Sequence, residues 1–199
     1  MKNHMNKWFV IFGLMLSCGA WADDTAKNGA KPDVLLYIQP VEFTNPIRLW
    51  HPYYDYWFYQ GPIVENVAAE KLGQTYSKVE VCDANQSGRM LVWLQPKMFY
   101  NPQVQQFYGK LTAEVYTGIG KHIGTYVGEA NVRGPLGMSA ESSIRQSYAL
   151  ATDHVISQMK ADNALEAYVS TDAVNASDTT PCSMVTLLPT NKLRRALPF

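Results

Sequence analysis

Alternating and continuous apolar runs divide the middle of the chain into predicted strands. Residues 34–38 and 90–94 are apolar throughout, which is typical of short strands that are buried on both faces. In residues 76–82 and 110–116, apolar residues alternate with polar or charged ones, which favours strands with one wet face. The turn TGIGK then leads into residues 122–132 as the second arm of a hairpin. The pattern therefore predicts about five strands.

Apolar residues at helical spacing predict two helices. The first begins at Pro62, because proline suits the first helical position, and ends at Gly73, and its apolar face is Val64, Val67, Ala68 and Leu72. The second runs from about Ala140 to Leu165, Ser139 is placed to cap its start, and its apolar stripe is Ile144, Tyr148, Ala151, Val155 and Met159. We therefore expect an α+β fold, an antiparallel or mixed sheet of about five strands with two helices packed on one face.

The first 22 residues follow the plan of a secretory signal peptide. Lys2 and Lys7 precede the apolar run WFVIFGLMLSC, and the small residues of AWA suit cleavage before Asp23. The run is shorter than the roughly 20 residues that a membrane span requires. We expect an exported protein, most simply a periplasmic one.

Cys18 raises a second possibility for the N-terminus, since bacterial lipoproteins are cut just before a cysteine. Leu16 stands where such a signal usually has a small residue, and the AWA site follows directly. Soluble export is therefore the expectation, and an outer-membrane lipoprotein tethered at Cys18 is the alternative. Contact with a membrane is expected only if Cys18 is lipidated.

The predicted organisation is a signal peptide over residues 1–22, a disordered lead-in over 23–33, one α+β domain over 34–169 and a tail over 170–199. The run CSMVTLLP in the tail is a candidate edge strand. Cys82 and Cys182 are available to pair in an oxidising compartment. Such a disulfide would close a loop of about 100 residues and tie the tail to the domain.

Charge and residue pattern exclude several classes of function. Without Lys2 and Lys7 the chain is slightly acidic, and its one basic cluster is KLRR near the end. A nucleic-acid partner is therefore not expected, since phosphate binding requires a clustered basic surface.

The residue types used in catalysis do not form a known constellation. His51, His122 and His154 are far apart in sequence and lie in no metal-binding motif. Ser157 and Lys160 have the SxxK spacing of penicillin-interacting enzymes, but the companion motifs are missing. We expect no enzyme, no metal and no cofactor.

Two proline-marked segments, RLWHPYYDYWFYQ and PKMFYNPQVQQFY, are unusually aromatic. Each follows a predicted central strand, and their prolines favour loops over regular strands. If the two strands are parallel neighbours, both loops leave the sheet at one edge and form a joint surface. The candidate binding residues are Trp50, Tyr53, Tyr54, Tyr56, Trp57, Phe58 and Tyr59 in the first segment, and Phe99, Tyr100, Phe107 and Tyr108 in the second.

Three roles are open for these rings at the level of sequence. They can fold inward over the sheet face that the helices leave open, or form an interface with another protein, for which tyrosine and tryptophan are well suited. They can also stack on a glycan or contact lipid. The open question is which way the rings point.

The runs VLLYIQPVEF, GRMLVWLQPKMFYNPQ and LTAEVYTGIGKHIGTYVGEANV, with the long helix, resemble small exported envelope proteins of the YajG-like and curli-secretion-lipoprotein kind. The resemblance covers most of residues 34–165 and lies in the order of elements. It implies a non-enzymatic accessory role at the outer membrane of a Gram-negative cell. We therefore expect an envelope accessory protein that binds other envelope proteins, or its own copies, through the aromatic loops. A polysaccharide-binding module that uses the same loops is the alternative.

Overall fold

The structure is a computed structural model, in which residues 33–84, 86–170 and 180–188 are described. The chain divides into two units, Met1–Ala30 and Lys31–Phe199, and every described residue belongs to the second. The signal peptide, Cys18, nearly all of the lead-in and most of the tail lie outside the described residues, so the predictions made for them stay predictions.

The second unit is built on a mixed five-stranded sheet and a separate two-stranded hairpin. The strands are β1 (Val34–Ile38), β2 (Ile47–His51), β3 (Tyr54–Phe58), β4 (Val79–Val81), β5 (Met90–Asn101), β6 (Gln106–Thr117) and β7 (His122–Arg133). The sheet has the order β4-β1-β5-β6-β7, and β2 pairs with β3 alone. Strand β1 runs parallel to β4 and β5, whereas β5, β6 and β7 are antiparallel. The predicted α+β class with a mixed sheet is confirmed.

The helices are α1 (Val41–Thr44), α2 (Gln60–Gly73), α3 (Ala140–Ala161) and α4 (Asn163–Ser170), and a 3-10 helix spans Pro181–Leu187. Helices α2 and α3 pack on one face of the sheet in a continuous apolar core. Every residue of the two predicted apolar stripes is buried there. Helical periodicity therefore identified both core-facing surfaces correctly.

Several predicted helix boundaries are wrong. Helix α2 begins at Gln60, so Pro62 is its third residue, and the Ser139 side chain makes no capping hydrogen bond to α3. The predicted long helix is interrupted at Asp162, whose backbone is extended, and Leu165 belongs to α4. Periodicity continues across such a break because both helices bury their apolar residues in the same core.

The two aromatic segments, predicted as loops, are mostly strands. Pro46 precedes β2 and Pro52 lies in the two-residue turn between β2 and β3, so neither interrupts a strand. Pro96 lies inside β5, but the pairing of β5 with β1 ends at Leu94. Pro96 has no N–H to donate, and it has no β1 residue opposite it that would need one. Strand β5 therefore continues to Asn101, and β6 begins at Gln106. The turn between them is residues 102–105.

Cys82 and Cys182 form a disulfide, as predicted, with their Cα atoms 5.6 Å apart. The bond holds the 3-10 helix against the sheet face opposite α2 and α3, where Cys182 packs in a small cluster with Leu35 and Leu91. The predicted edge strand at CSMVTLLP is therefore wrong, since this segment is the 3-10 helix. The predicted strand at residues 76–82 is also shorter, because only Val79–Val81 pairs with β1.

Candidate binding surface

The β2–β3 hairpin has one face fixed in the core. Leu49 and Phe58 are buried, and their partners across the two strands, Tyr56 and Ile47, are partly buried against the same core. Pro52 suits the first turn position because its φ is fixed near −65°. The hairpin is therefore anchored at its base and in its middle, whereas the tip pair His51 and Tyr54 is not part of the core.

Its other face presents two tryptophans and an ion pair. Across the strands Arg48 lies opposite Trp57, and Trp50 lies opposite Asp55, so the four side chains form a square. Arg48 Nε lies 2.7 Å from Asp55 Oδ1 along one diagonal, and the tryptophans occupy the other. Trp50 is 54% exposed and Trp57 is 57% exposed. We call this square, with Tyr53 at the tip and Tyr59 at the base, the hairpin face.

The tip of the hairpin is ordered by a histidine. The Tyr53 N–H donates to His51 Nδ1 at 3.4 Å, and the His51 ring stacks on Tyr54 with ring centroids 4.6 Å apart. Tyr53 itself is 89% exposed. The Tyr53 ring contacts the His51 ring, with centroids 5.6 Å apart, and is otherwise largely in water.

The second aromatic segment is divided between the two faces of the sheet. Tyr100 and Phe107 face each other on the helix side and are buried, and the Tyr100 hydroxyl accepts the Leu136 N–H at 3.2 Å. Burial is also the main cause that raises the pKa of Tyr100. Phe99 and Tyr108 face each other on the opposite side and are exposed. Strand alternation therefore separates each pair of sequence neighbours.

Three predicted binding residues are core residues and do not belong to the candidate surface. Phe58, Tyr100 and Phe107 are at most 7% exposed, because each faces the helices across the sheet or hairpin. Tyr56 is only partly accessible for the same reason. The remaining predicted residues, Trp50, Tyr53, Tyr54, Trp57, Tyr59, Phe99 and Tyr108, are exposed.

The exposed rings lie in two places, on the β2–β3 hairpin and on the paired strands β5 and β6. Strands β1 and β5 are parallel neighbours, as the prediction of a joint surface required. Yet, in residues 33–84 and 86–170, the ring contacts join Phe99 to Tyr108 and do not join either ring to the hairpin face. The hairpin face and the Phe99–Tyr108 pair are therefore separate surfaces.

A buried polar chain lies beneath the base of the hairpin, and the sequence did not reveal it. The Tyr148 hydroxyl donates to Gln60 Oε1 at 2.5 Å, and Gln60 Nε2 donates to Glu42 Oε2 at 2.9 Å. Burial raises the pKa of both Glu42 and Tyr148. These bonds link α1, α2 and α3, and the one available signal was that the hydroxyl of a buried tyrosine requires a partner.

The candidate catalytic residues do not converge. His51 is at the hairpin tip, His122 contacts Thr125 Oγ1, and His154 Nδ1 contacts the Glu129 carbonyl oxygen. Ser157 donates to the His154 carbonyl oxygen of its own helix. In the part of the chain that the structure describes, no three metal-ligating side chains lie close enough to hold an ion. No described helix is long and apolar enough to cross a membrane.

Comparison with known proteins adds little to this geometry. No family model matches the chain, and no curated protein matches it. Among solved structures, a "putative lipoprotein" from Caulobacter crescentus CB15 matches with a TM-score of 0.33 and 8% identity, over 56% of this chain and 84% of that one. A likeness of this size shows neither a fold family nor a function.

Proposed function

We propose that this chain is an exported, non-catalytic envelope protein that binds another protein through the hairpin face. The observation that carries the proposal is the pair of half-exposed tryptophans on a hairpin whose reverse side is fixed by Leu49 and Phe58. Tryptophan, tyrosine and arginine are the residues that most often dominate binding energy at protein interfaces.

The anchoring of the hairpin supports a role in binding. A side chain on an already ordered strand loses little backbone entropy when a partner covers it, so more of the contact energy appears as affinity. Trp50 and Trp57 gain little from their present positions, because about half of each ring remains in water. A partner that covered them would remove this apolar surface from water.

Two further observations support an exported protein. The N-terminal sequence has the plan of a signal peptide, and the structure pairs Cys82 with Cys182. Disulfides persist in oxidising compartments such as the bacterial periplasm. We place the protein in the periplasm, with an outer-membrane lipoprotein tethered at Cys18 as the alternative.

A protein partner fits the hairpin face better than a glycan does. The Arg48–Asp55 ion pair lies between Trp50 and Trp57, so the two rings form no continuous aromatic surface on which a sugar could stack. Arg48 and Asp55 remain partly exposed, so each can also pair with a charged group on a partner. The partner is another envelope protein or a second copy of this chain.

Replacing both tryptophans tests the proposal. The double variant Trp50→Ala, Trp57→Ala should keep the circular dichroism spectrum and Tm of the wild type but lose capture of its partner from solubilised envelopes. Ile119→Ala is the matched control, because Ile119 is also an exposed apolar residue but lies in the β6–β7 turn.

Light scattering on the same variants distinguishes the two kinds of partner. A wild-type dimer that becomes monomeric in the double variant identifies a second copy as the partner. Capture that is equal in all three proteins would contradict the proposal. A large loss of Tm in the double variant would also contradict it, since the tryptophans would then support the fold.

A further inference from the structure

The sheet face opposite α2 and α3 carries an ordered set of side chains on β5, β6 and β7. In one row Lys97 lies opposite Lys110, which lies opposite Glu129. In the next row Phe99 lies opposite Tyr108, which lies opposite Asn131. We call these six residues the strand grid. None of them belongs to the hairpin face.

The charges of the strand grid do not balance. Lys110 Nζ lies 2.5 Å from Glu129 Oε1, and this carboxylate is the one acid in the grid. Within the described residues Lys97 makes no ion pair, although it is directly opposite Lys110. Like charges directly opposite each other on a sheet destabilise it. An anion beside Lys97 and Lys110 would balance the one positive charge that Glu129 does not.

The second row provides an aromatic surface beside these charges. Phe99 is 52% exposed, and its ring centroid lies 5.9 Å from that of Tyr108, with the planes tilted by 40°. The Tyr108 hydroxyl donates to Gln106 Oε1 at 3.0 Å, which fixes the direction of its ring. Asn131 adds an amide that can both donate and accept hydrogen bonds.

The strand grid lines part of a shallow depression of about 580 Å³, which also reaches Leu150 and His154 of α3. This volume is within the range of about 300–1,000 Å³ that is common for ligand sites. The site thus combines aromatic rings, two lysines on neighbouring strands and an amide. These groups suit a ligand ring that has an apolar face, one anionic substituent and several hydroxyl groups.

We propose that the strand grid binds an acidic saccharide, a sugar unit of a glycan that carries a carboxylate. The carboxylate lies between Lys97 and Lys110, where charge-assisted hydrogen bonds form. The face of the sugar ring packs on Phe99 and Tyr108, and its hydroxyls bond to Asn131 and Glu129. The site is independent of the proposed protein interface, because the two share no residue.

Binding of polygalacturonate, a polymer of sugar carboxylates, tests this proposal, with dextran as the neutral comparison. Isothermal calorimetry on the exported chain at 0.15 M salt should show binding to polygalacturonate and none to dextran. Lys97→Gln should weaken that binding about five- to tenfold, and Phe99→Ala should weaken it by a similar factor. The Tm of Lys97→Gln should be equal to or above that of the wild type, because the variant loses only a repulsion.

Lys121→Gln is the matched control, since it removes the same charge from the β6–β7 turn, about 25 Å along β7 from Glu129. Unchanged affinity in this variant supports the site. Equal losses in Lys97→Gln and Lys121→Gln would show general charge attraction and overturn it. Equal binding of dextran, no binding of polygalacturonate, or an unaltered affinity in Phe99→Ala would each overturn it as well. Capture through the hairpin face is unaffected by any of these outcomes.

Discussion

Trp57 and Phe58 are adjacent in β3 and have opposite environments. Trp57 points to solvent beside Arg48, whereas Phe58 is 7% exposed and packs in the core. The difference comes from strand alternation alone, because successive side chains of a strand point to opposite faces. A run of aromatic residues therefore contains both anchors and candidate contacts.

This alternation predicts different costs for two neighbouring substitutions. Phe58→Ala should lower the free energy of unfolding by about 3 to 5 kcal/mol, since it leaves a cavity beneath the hairpin. Trp57→Ala should change it by less than about 1 kcal/mol, because half of that ring is already in water. Urea unfolding of the two variants checks the contrast. Similar losses in both would mean that the hairpin face is part of the core.

At the residue scale the sequence identified the aromatic residues but not their directions. The direction of Trp57 depends on where β3 begins, and the pattern predicted no strand at that point. Unless it is known which residues of a strand face the core, the sequence cannot tell buried rings from exposed ones. In β6 the sequence did show which residues face the core, because Leu111, Ala113 and Val115 alternate with polar residues. All three are buried in the structure.

Strand β7 forms one edge of the sheet, and side chains of α3 occupy part of that edge. The Val127 N–H donates to Gln158 Oε1 at 3.2 Å, and Gln158 Nε2 donates to the Val127 carbonyl oxygen at 2.7 Å. The side-chain amide of Gln158 thus takes the place of a neighbouring strand. Open edges promote association between chains, and covering them prevents it.

Removing this amide should expose the edge. In Gln158→Ala we expect faster hydrogen exchange at the Val127 N–H, a stability loss of at most about 1.5 kcal/mol, and more self-association at high concentration. Hydrogen-exchange mass spectrometry and light scattering measure these effects. Ser157→Ala is the control, because Ser157 bonds only within α3 in the described contacts. Identical exchange in wild type and Gln158→Ala would contradict this role.

Asp162 is the joint between α3 and α4. Its Oδ1 accepts the Ala164 N–H at 2.8 Å, and its Oδ2 accepts the Tyr126 hydroxyl at 2.8 Å. The bond from Tyr126 is the largest cause that lowers the pKa of Asp162, and the bond from Ala164 follows. The carboxylate therefore both caps α4 and connects it to β7.

This lowered pKa predicts a pH-dependent effect of Asp162→Ala. Because the folded pKa lies below the unfolded one, the carboxylate contributes its full stability above the unfolded pKa and loses it as the pH falls through the folded pKa. The variant should therefore have a lower Tm than the wild type at neutral pH, and the difference should shrink below pH of about 4. Thermal unfolding across this range checks it. A difference in Tm that does not change with pH would contradict the account.

Periodic patterns predicted the long helices and strands correctly, but the sequence did not reveal where those elements are interrupted. The stripe of α3 and the β6–β7 hairpin were predicted because their periods extend over several turns or residue pairs. The hairpin β2–β3 was missed, since it has five residues in each strand and a Pro52–Tyr53 turn, which lacks the usual glycine or asparagine signal. The break at Asp162 was missed because a residue that caps one helix also resembles a polar position inside a longer one.

At the scale of the whole molecule, the disulfide connects two segments that are far apart in the sequence. Cys82 and Cys182 are 100 residues apart, and the bond holds the 3-10 helix over Leu35 and Leu91. The double variant Cys82→Ser, Cys182→Ser should lose about 2 to 5 kcal/mol of unfolding free energy, since a long loop is freed in the unfolded chain. Urea unfolding under oxidising conditions measures this loss. An unchanged midpoint would show that the tail contributes no stability through the bond.

Photo-crosslinking in living cells tests whether the hairpin face is a protein interface. A photoreactive amino acid at position 53, the exposed tip of the hairpin, is compared with the same group at position 119, in the β6–β7 turn. If the hairpin face is an interface, position 53 should give a discrete protein adduct and position 119 should give none. The adduct should be lost when Trp50 and Trp57 are replaced by alanine. No adduct from position 53, or the same adducts from both positions, would contradict it.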